Sequence, residues 1–401
     1  MQPGPRCVRD MRRSLRREQA MSAPSSDAMR RHATPEWAVW LAAIRQPELA
    51  LAWSLADWHR VVRLARRLRL LARLGESLRA AGLLNRLPAQ ARRHLESEMC
   101  LSRWRTGVMV WALQRVAATL SGAPYPLVLL KGGAYIGQGL PLAAGRLPSD
   151  ADILVPKAHI AQAGVKLREA GWMSAQLDAH DERYYHEWSH EVPPMMNPVH
   201  PVELDLHHNI LPPVARTHVD ADLLLARLQP SKWPPWQVLH PVDQVLHSAA
   251  HLFLDSEPID RVRDLVDLDG LMRHFGDADP AFWAELPRRA QELGLSEPLA
   301  QAAYFTTRWL GTPIPDATLA LIVSQGPGPL RRAWLMPLMS AVLTPTEPDA
   351  MPSLRQRFAA FVVLVRYHRN RLPLRLLIPH LWHKWRNKPA AVDPAAAADA
   401  A

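Results

Sequence analysis

Cysteine is scarce: Cys7 and Cys100 are the two in 401 residues. That is too few for a disulfide framework, so a reducing, cytoplasmic setting is expected. Long apolar runs are missing too. The most apolar late stretch, Phe358 to Val365, is cut by Arg366, far short of the roughly 20 residues a membrane-spanning helix needs. The first residues carry positive charge but no apolar h-region, which excludes a secretory signal. Residues 1–35 read as a disordered basic leader, with Met21 as an alternative start, and the Ala-rich residues 389–401 as a disordered tail. Acids are absent from residues 355–388, where nine Arg or Lys stand unaccompanied. The net charge of +10 therefore sits at the two ends, and the middle of the chain is not a basic surface of the size that nucleic acid needs. No internal repeat of fixed period is present.

What remains is globular. A hydrophobic share of 48% against 21% charged residues supports a packed core, and the length calls for more than one structural unit. Residues 36–122 read as an N-terminal helical region. Within it, Val61, Leu64, Leu68, Leu71 and Leu74 recur at helical spacing toward a stop at Gly82, with arginines on the other face. The period then changes. Pro126-Leu-Val-Leu-Leu-Lys131 is a short buried strand closed by Gly132-Gly133, and Asp150-Ala-Asp-Ile-Leu-Val155 is a second strand stopped by Pro156. A helix follows from Lys157 to Ala170. Further strands are expected around Trp188 to Met195 and at Val202-Glu-Leu-Asp-Leu-His207. Residues 123–212 thus form an α/β core with a small mixed sheet of four or five strands. Residues 213–388 read as a larger C-terminal helical domain, with Trp233-Pro-Pro-Trp236 as a joint between helices. The fold class is α+β.

Residues i and i+2 of a strand share a face, so Asp150 and Asp152 set two carboxylates about 6.5 to 7 Å apart at their α-carbons. Like charges held so close invite a divalent cation, Mg²⁺ or Mn²⁺. Asp205, on the later strand, is the candidate third ligand, with Glu203 on the same face as the competing choice. Three such acids suffice for two metal ions about 3.5 to 4 Å apart. Lys131, Gly132 and Gly133 offer charge and open backbone to a phosphate, Arg146 offers a bidentate fork, and Ser149 adjoins the first acid.

The ordered runs LVLLKGG, GRLPSDADILV and VELDLHHNIL resemble the polymerase-β-like nucleotidyltransferase superfamily. Within it they resemble an uncharacterised bacterial nucleotidyltransferase family, whose flanking helices are similar to DWHRVVRLARRLRLL, LHSAAHLFLD and RVRDLVDLDGLM. The resemblance implies metal-dependent transfer of a nucleoside monophosphate from an NTP to an acceptor hydroxyl, with release of pyrophosphate. It implies Asp150 and Asp152 as metal ligands, Asp205 as ligand and orienter of the nucleophile, Gly132 and Gly133 as phosphate loop, and Lys131 and Arg146 as neutralisers of the triphosphate. The gap between Gly133 and Asp150 exceeds the minimal superfamily motif and matches this family.

Several histidines accompany the acids. His247 and His251 stand at i and i+4 without the intervening glutamate of a zinc protease, and read as core packing or lining of an acceptor cleft. His207 and His208 reach substrate or make structural hydrogen bonds. Asp264 holds a histidine or a neighbouring arginine. In the C-terminal basic run, Phe358, Phe361, Val362, Val365 and Leu372 read as a core-facing stripe, with RNA or membrane-surface contact as the weaker reading. Alternatives to catalysis on a small molecule, peptide or protein are an inactive nucleotide-binding or partner-binding module of the same fold, or an RNA-modifying enzyme.

Overall fold

Ser54 opens the first regular helix. Its hydroxyl accepts from the Asp57 amide while the Asp57 carboxylate accepts from the Ser54 amide, a reciprocal cap that satisfies two helix-end donors. The computed structural model describes residues 36–174, 177–255 and 258–386. The basic leader and the Ala-rich tail lie outside them. The single helix expected to run to Gly82 is two, α1 (Leu55–Arg67) and α2 (Leu71–Ala80), because Arg69 adopts a φ of 56°. Val61, Leu64, Leu68, Leu71 and Leu74 remain buried across the break. The apolar stripe survives while the chain turns Arg69 toward the cleft described below. Helix α3 (Ala89–Thr119) then packs behind the sheet.

Strand β1 (Leu127–Leu129) is buried throughout and leads into α4 (Lys131–Gln138). Gly132 and Gly133 therefore lie in the first turn of a helix rather than in an open loop. Next come β2 (Asp150–Leu154), α5 (Ile160–Glu169) and β3 (Met173–Ser174). Helix α6 (Ala179–Arg183) runs on through a π turn at Tyr184–Trp188. The strand expected around Trp188 begins only at β4 (Met195–Asn197), which precedes β5 (His200–His207). After α7 (Ala221–Leu225), β6 (Gln229–Pro230) and β7 (Trp236–Val238) complete the sheet.

The sheet has seven strands in the order β3-β4-β5-β2-β1-β7-β6, not four or five. Two of them come from beyond residue 212. The proline-rich Trp233-Pro-Pro-Trp236 is not a joint between helices but the entry to β7, which pairs parallel to β1. Strands of two or three residues are too short for alternation to be read from sequence. The centre is β5-β2-β1, with β2 antiparallel to β1 and parallel to β5.

Helices α8 (Pro241–Ala250), α9 (Val262–Ala278), α10 (Ala281–Glu292), α11 (Ser296–Phe305), α12 (Asp316–Gln325) and α13 (Pro329–Leu343) pack mainly on one another and on other helical segments and share the main core with the strands. Helix α9 joins two cores. Val262 and Val266 pack into the N-terminal helical cluster, while Leu265, Leu268, Leu271 and Met272 belong to the main core. The last described helices are α14 (Leu354–Arg371) and α15 (Leu374–Arg386). Here the expected core-facing stripe is overturned: Phe358, Phe361 and Val365 are exposed, Val362 is half-buried and Leu372 is buried. Ala359 and Val363 meet the core instead. Arg366 shares their face and pairs with Glu297 at 2.9 Å, which fixes the rotation of the helix.

Candidate active site

The acids meet because of strand register. Asp150 is paired with Glu203 and Asp152 with Asp205 across the parallel β2·β5 ladder, and register partners project from the same face of a sheet. Ligand atoms of Asp152, Asp205 and His207 lie within 4.8 Å of one another. Asp150 accepts from the Ser149 hydroxyl at 2.6 Å. Glu203 is exposed and outside this group.

Asp152 is the most enclosed of the set, at 2% exposure. One of its oxygens accepts from Lys131 Nζ at 2.6 Å and from His207 Nε2 at 3.1 Å. Burial opposes its charge, but Lys131 and His207 outweigh burial and hold the carboxyl well below the usual range. The same pairing raises Lys131 against its own burial. His207 is raised as well, because Asp152 on one side and Glu191, 3.4 Å from its Nδ1, on the other offset burial. Asp205 behaves in the opposite way: burial and then the Asp152 charge push it up to about 7. Its Oδ1 is buried with no hydrogen-bond partner among the described residues.

Two facing carboxylates, one with an unpartnered buried oxygen, beside an imidazole and with no thiolate, fit a hard divalent cation. Asp152 and Asp205 are the residues that would hold it, with Asp150 on the same strand face.

A cavity of about 380 Å³ opens over the start of β2 and α4. Lys131, Ser149, Asp150 and Asp152 line one side, and Arg67, Arg69, Arg261 and Arg263 line another. The sequence showed these arginines as a basic helix face and as neighbours of Asp264, but gave no sign that a break at Arg69 would turn the first pair inward. Asp264 lines the same cavity and pairs with Arg263 at 3.2 Å and Arg261 at 3.7 Å. It holds arginines, not a histidine.

Arg146 also reaches the cavity, yet its Nε is bound to Asp267 at 2.9 Å and its guanidinium lies 5.6 Å from the Tyr135 ring centre. Asp267 simultaneously holds buried Arg73 at 2.9 Å. A side chain at position 132 would collide with the Arg146 guanidinium, so Gly132 makes room for that arginine. Gly133 is buried beside Leu113 and Leu129.

His251 lines the cavity from the π turn that continues α8, whereas His247 is buried one helical turn earlier. Burial, followed by the Lys131 charge, lowers His247 to about 3 and His251 well below its usual value. His208 points elsewhere, toward the Ser189 carbonyl at 3.2 Å. Three groups not singled out from the sequence complete the surroundings. Asp255 ends the same π turn, 3.4 Å from His190 and 3.2 Å from Arg371, and Arg371 also approaches Glu191 at 3.7 Å. Burial pushes Asp255 up to about 6 despite Arg371. Asp255 closes the run LHSAAHLFLD, so a signal for it was present, whereas Glu191 fell within the strand expected around Trp188 to Met195, where no motif marked it as a neighbour of the acids.

A family model described as an uncharacterised nucleotidyltransferase matches residues 54–311. No curated protein and no solved structure matches the chain.

Proposed function

The chain belongs to that uncharacterised nucleotidyltransferase family, and from this premise we propose that it moves a nucleoside monophosphate from an NTP to an acceptor hydroxyl. The carrying observation is the register of β2 and β5, which sets Asp205 beside Asp152, itself a wall residue of an arginine-lined cavity. A divalent cation bound by Asp150, Asp152 and Asp205 would neutralise phosphate charge and polarise the α-phosphorus. In the reaction the acceptor hydroxyl gives its proton to Asp205 as its oxygen forms a bond to that phosphorus, the bridging bond to the β-phosphate breaks, and pyrophosphate leaves. Asp205 has the free lone pairs to orient the acceptor hydroxyl. Arg67, Arg69, Arg261 and Arg263 face the space where the β- and γ-phosphates and then pyrophosphate would sit. Lys131 and His207 keep Asp152 ionised and aimed.

A second reading has one observation in its favour. Lys131 already neutralises Asp152 at 2.6 Å, which suits a module that binds nucleotide without turning it over. Pyrophosphate release from each of the four NTPs with Mg²⁺ or Mn²⁺ separates the two. Turnover that is lost in Asp152→Asn supports transfer, while saturable NTP binding without pyrophosphate from any acceptor mixture supports the inactive module.

A further inference from the structure

Helices α14 and α15 repeat one exposed pattern. Leu354, Phe358, Phe361 and Val365 are exposed on the first, and Leu374, Ile378, Leu381 and Trp385 on the second. Each set falls at i, i+4, i+7 and i+11, which places it along one helix face. Phe361 and Ile378 are each 65% exposed, and Trp382 widens the second stripe with its ring 5.2 Å from that of Trp385. Single exposed apolar side chains are ordinary, but two consecutive helices that each carry a stripe of large ones mark a surface that meets another apolar phase.

The other sides of both helices are occupied, so the stripes are not left outward for want of a dock. Ala359, Val363 and Leu377 are buried, and Arg366 reaches Glu297 and the Phe253 carbonyl. Helix α15 is tied to α6 and its cap by His383 on Asp178 at 2.8 Å, Lys384 on Asp181 at 2.7 Å, and a hydrogen bond between His180 Nε2 and His380 Nδ1 at 3.0 Å.

Charge selects the occupant. Residues 355–386 contain eight Arg or Lys and no acid, and Arg355, Arg357, Arg369, Arg375 and Arg386 are all exposed around the stripes. A second copy docked face to face would set like charges against each other. RNA would satisfy the arginines but leave the leucines, isoleucine and phenylalanines wet, since base stacking uses only the flat rings. An anionic bilayer satisfies both, with apolar side chains in the acyl boundary, tryptophans at the interface and arginines on head groups. No described helix is long and apolar enough to cross a membrane, which leaves an in-plane arrangement.

We propose that α14 and α15 together form a docking surface for an anionic lipid bilayer. This goes beyond the transfer reading and does not depend on it. The two regions are joined through Arg371, which ends α14 and reaches Asp255 and Glu191.

The test is co-sedimentation of the full chain with phosphatidylcholine vesicles, with and without roughly one third phosphatidylglycerol. The expected result is binding at least about tenfold stronger to the anionic vesicles, and its loss by a similar factor in Phe358→Ser/Phe361→Ser/Ile378→Ser with an unchanged thermal melt. Brominated lipid supplies a milder readout: it should quench tryptophan emission of the bound protein, and Trp382→Phe/Trp385→Phe should remove that quenching while leaving the fold intact. Absence of anionic binding overturns the proposal. So does binding that survives the serine substitutions, which would place the contact in another basic segment. A dimer or an RNA shift abolished by those substitutions, without vesicle binding, assigns the face to the other partner.

Discussion

Strand β5 and helix α14 are both built on regular apolar periods, yet they end in opposite surroundings. In β5, Val202, Leu204 and Leu206 are buried on one side, and the alternate positions deliver Asp205 and His207 to Asp152 on the other. In α14 the three- and four-residue period of Phe358, Phe361 and Val365 is equally clear, and those side chains face outward. A period identifies which residues share a face. What covers that face depends on partners distant in sequence: here Arg366 and Arg371 turn α14 by pairing with Glu297 and Asp255. The first region should be intolerant of change, and the second nearly indifferent to it in folding terms.

The largest effect is expected inside the sheet. Asp152→Asn should cut pyrophosphate release by about 10³-fold, on the order of 4 kcal/mol of transition-state stabilisation, measured in steady state with the melt as control. Next, Asp267→Ala leaves Arg73 and Arg146 buried without their shared partner. Unfolding in guanidinium should then show a loss of about 3–5 kcal/mol. A stability loss below 1 kcal/mol would mean that the two arginines find other partners and that the cavity wall is soft.

Acid should act less abruptly. His247 is lowered from its usual 6.5 to about 3 in the fold, so between those values the unfolded chain takes up a proton that the folded chain refuses. Its contribution is complete above about pH 6.5 and declines as the pH falls toward 3. The melting temperature should drop over that window, and His247→Gln should flatten the drop. The smallest effect belongs to the outer helices: Phe361→Ser should change unfolding free energy by no more than about 0.5 kcal/mol. A loss of several times that would show the stripe is covered in the folded chain and erase the contrast with β5.

The Asp150–Asp152 pair, the acid-bearing strand with Asp205, and the helix-sheet-helix arrangement were legible in the sequence because alternation and turn residues are local signals. The two short strands at Gln229 and Trp236 were not, since β7 is placed by pairing with β1 more than a hundred residues earlier and β6 by pairing with β7. Arg146 carried the chemistry of a phosphate ligand, but only the fold reveals that Asp267 holds it. The break at Arg69 was equally hidden, as a positive φ at an arginine leaves no compositional mark. Glu191 and Arg371 converge on the site from segments with no shared motif, so nothing local announced them.

A divalent cation held by Asp152 and Asp205 from adjacent strands can be located in a crystal. Crystals grown with Mn²⁺ and a non-hydrolysable NTP analogue, measured for the anomalous signal of manganese, test for it most directly. A manganese peak should touch both carboxylates, with the triphosphate turned toward Arg69 and Arg263. A peak elsewhere, or none while Lys131 stays on Asp152, would contradict it.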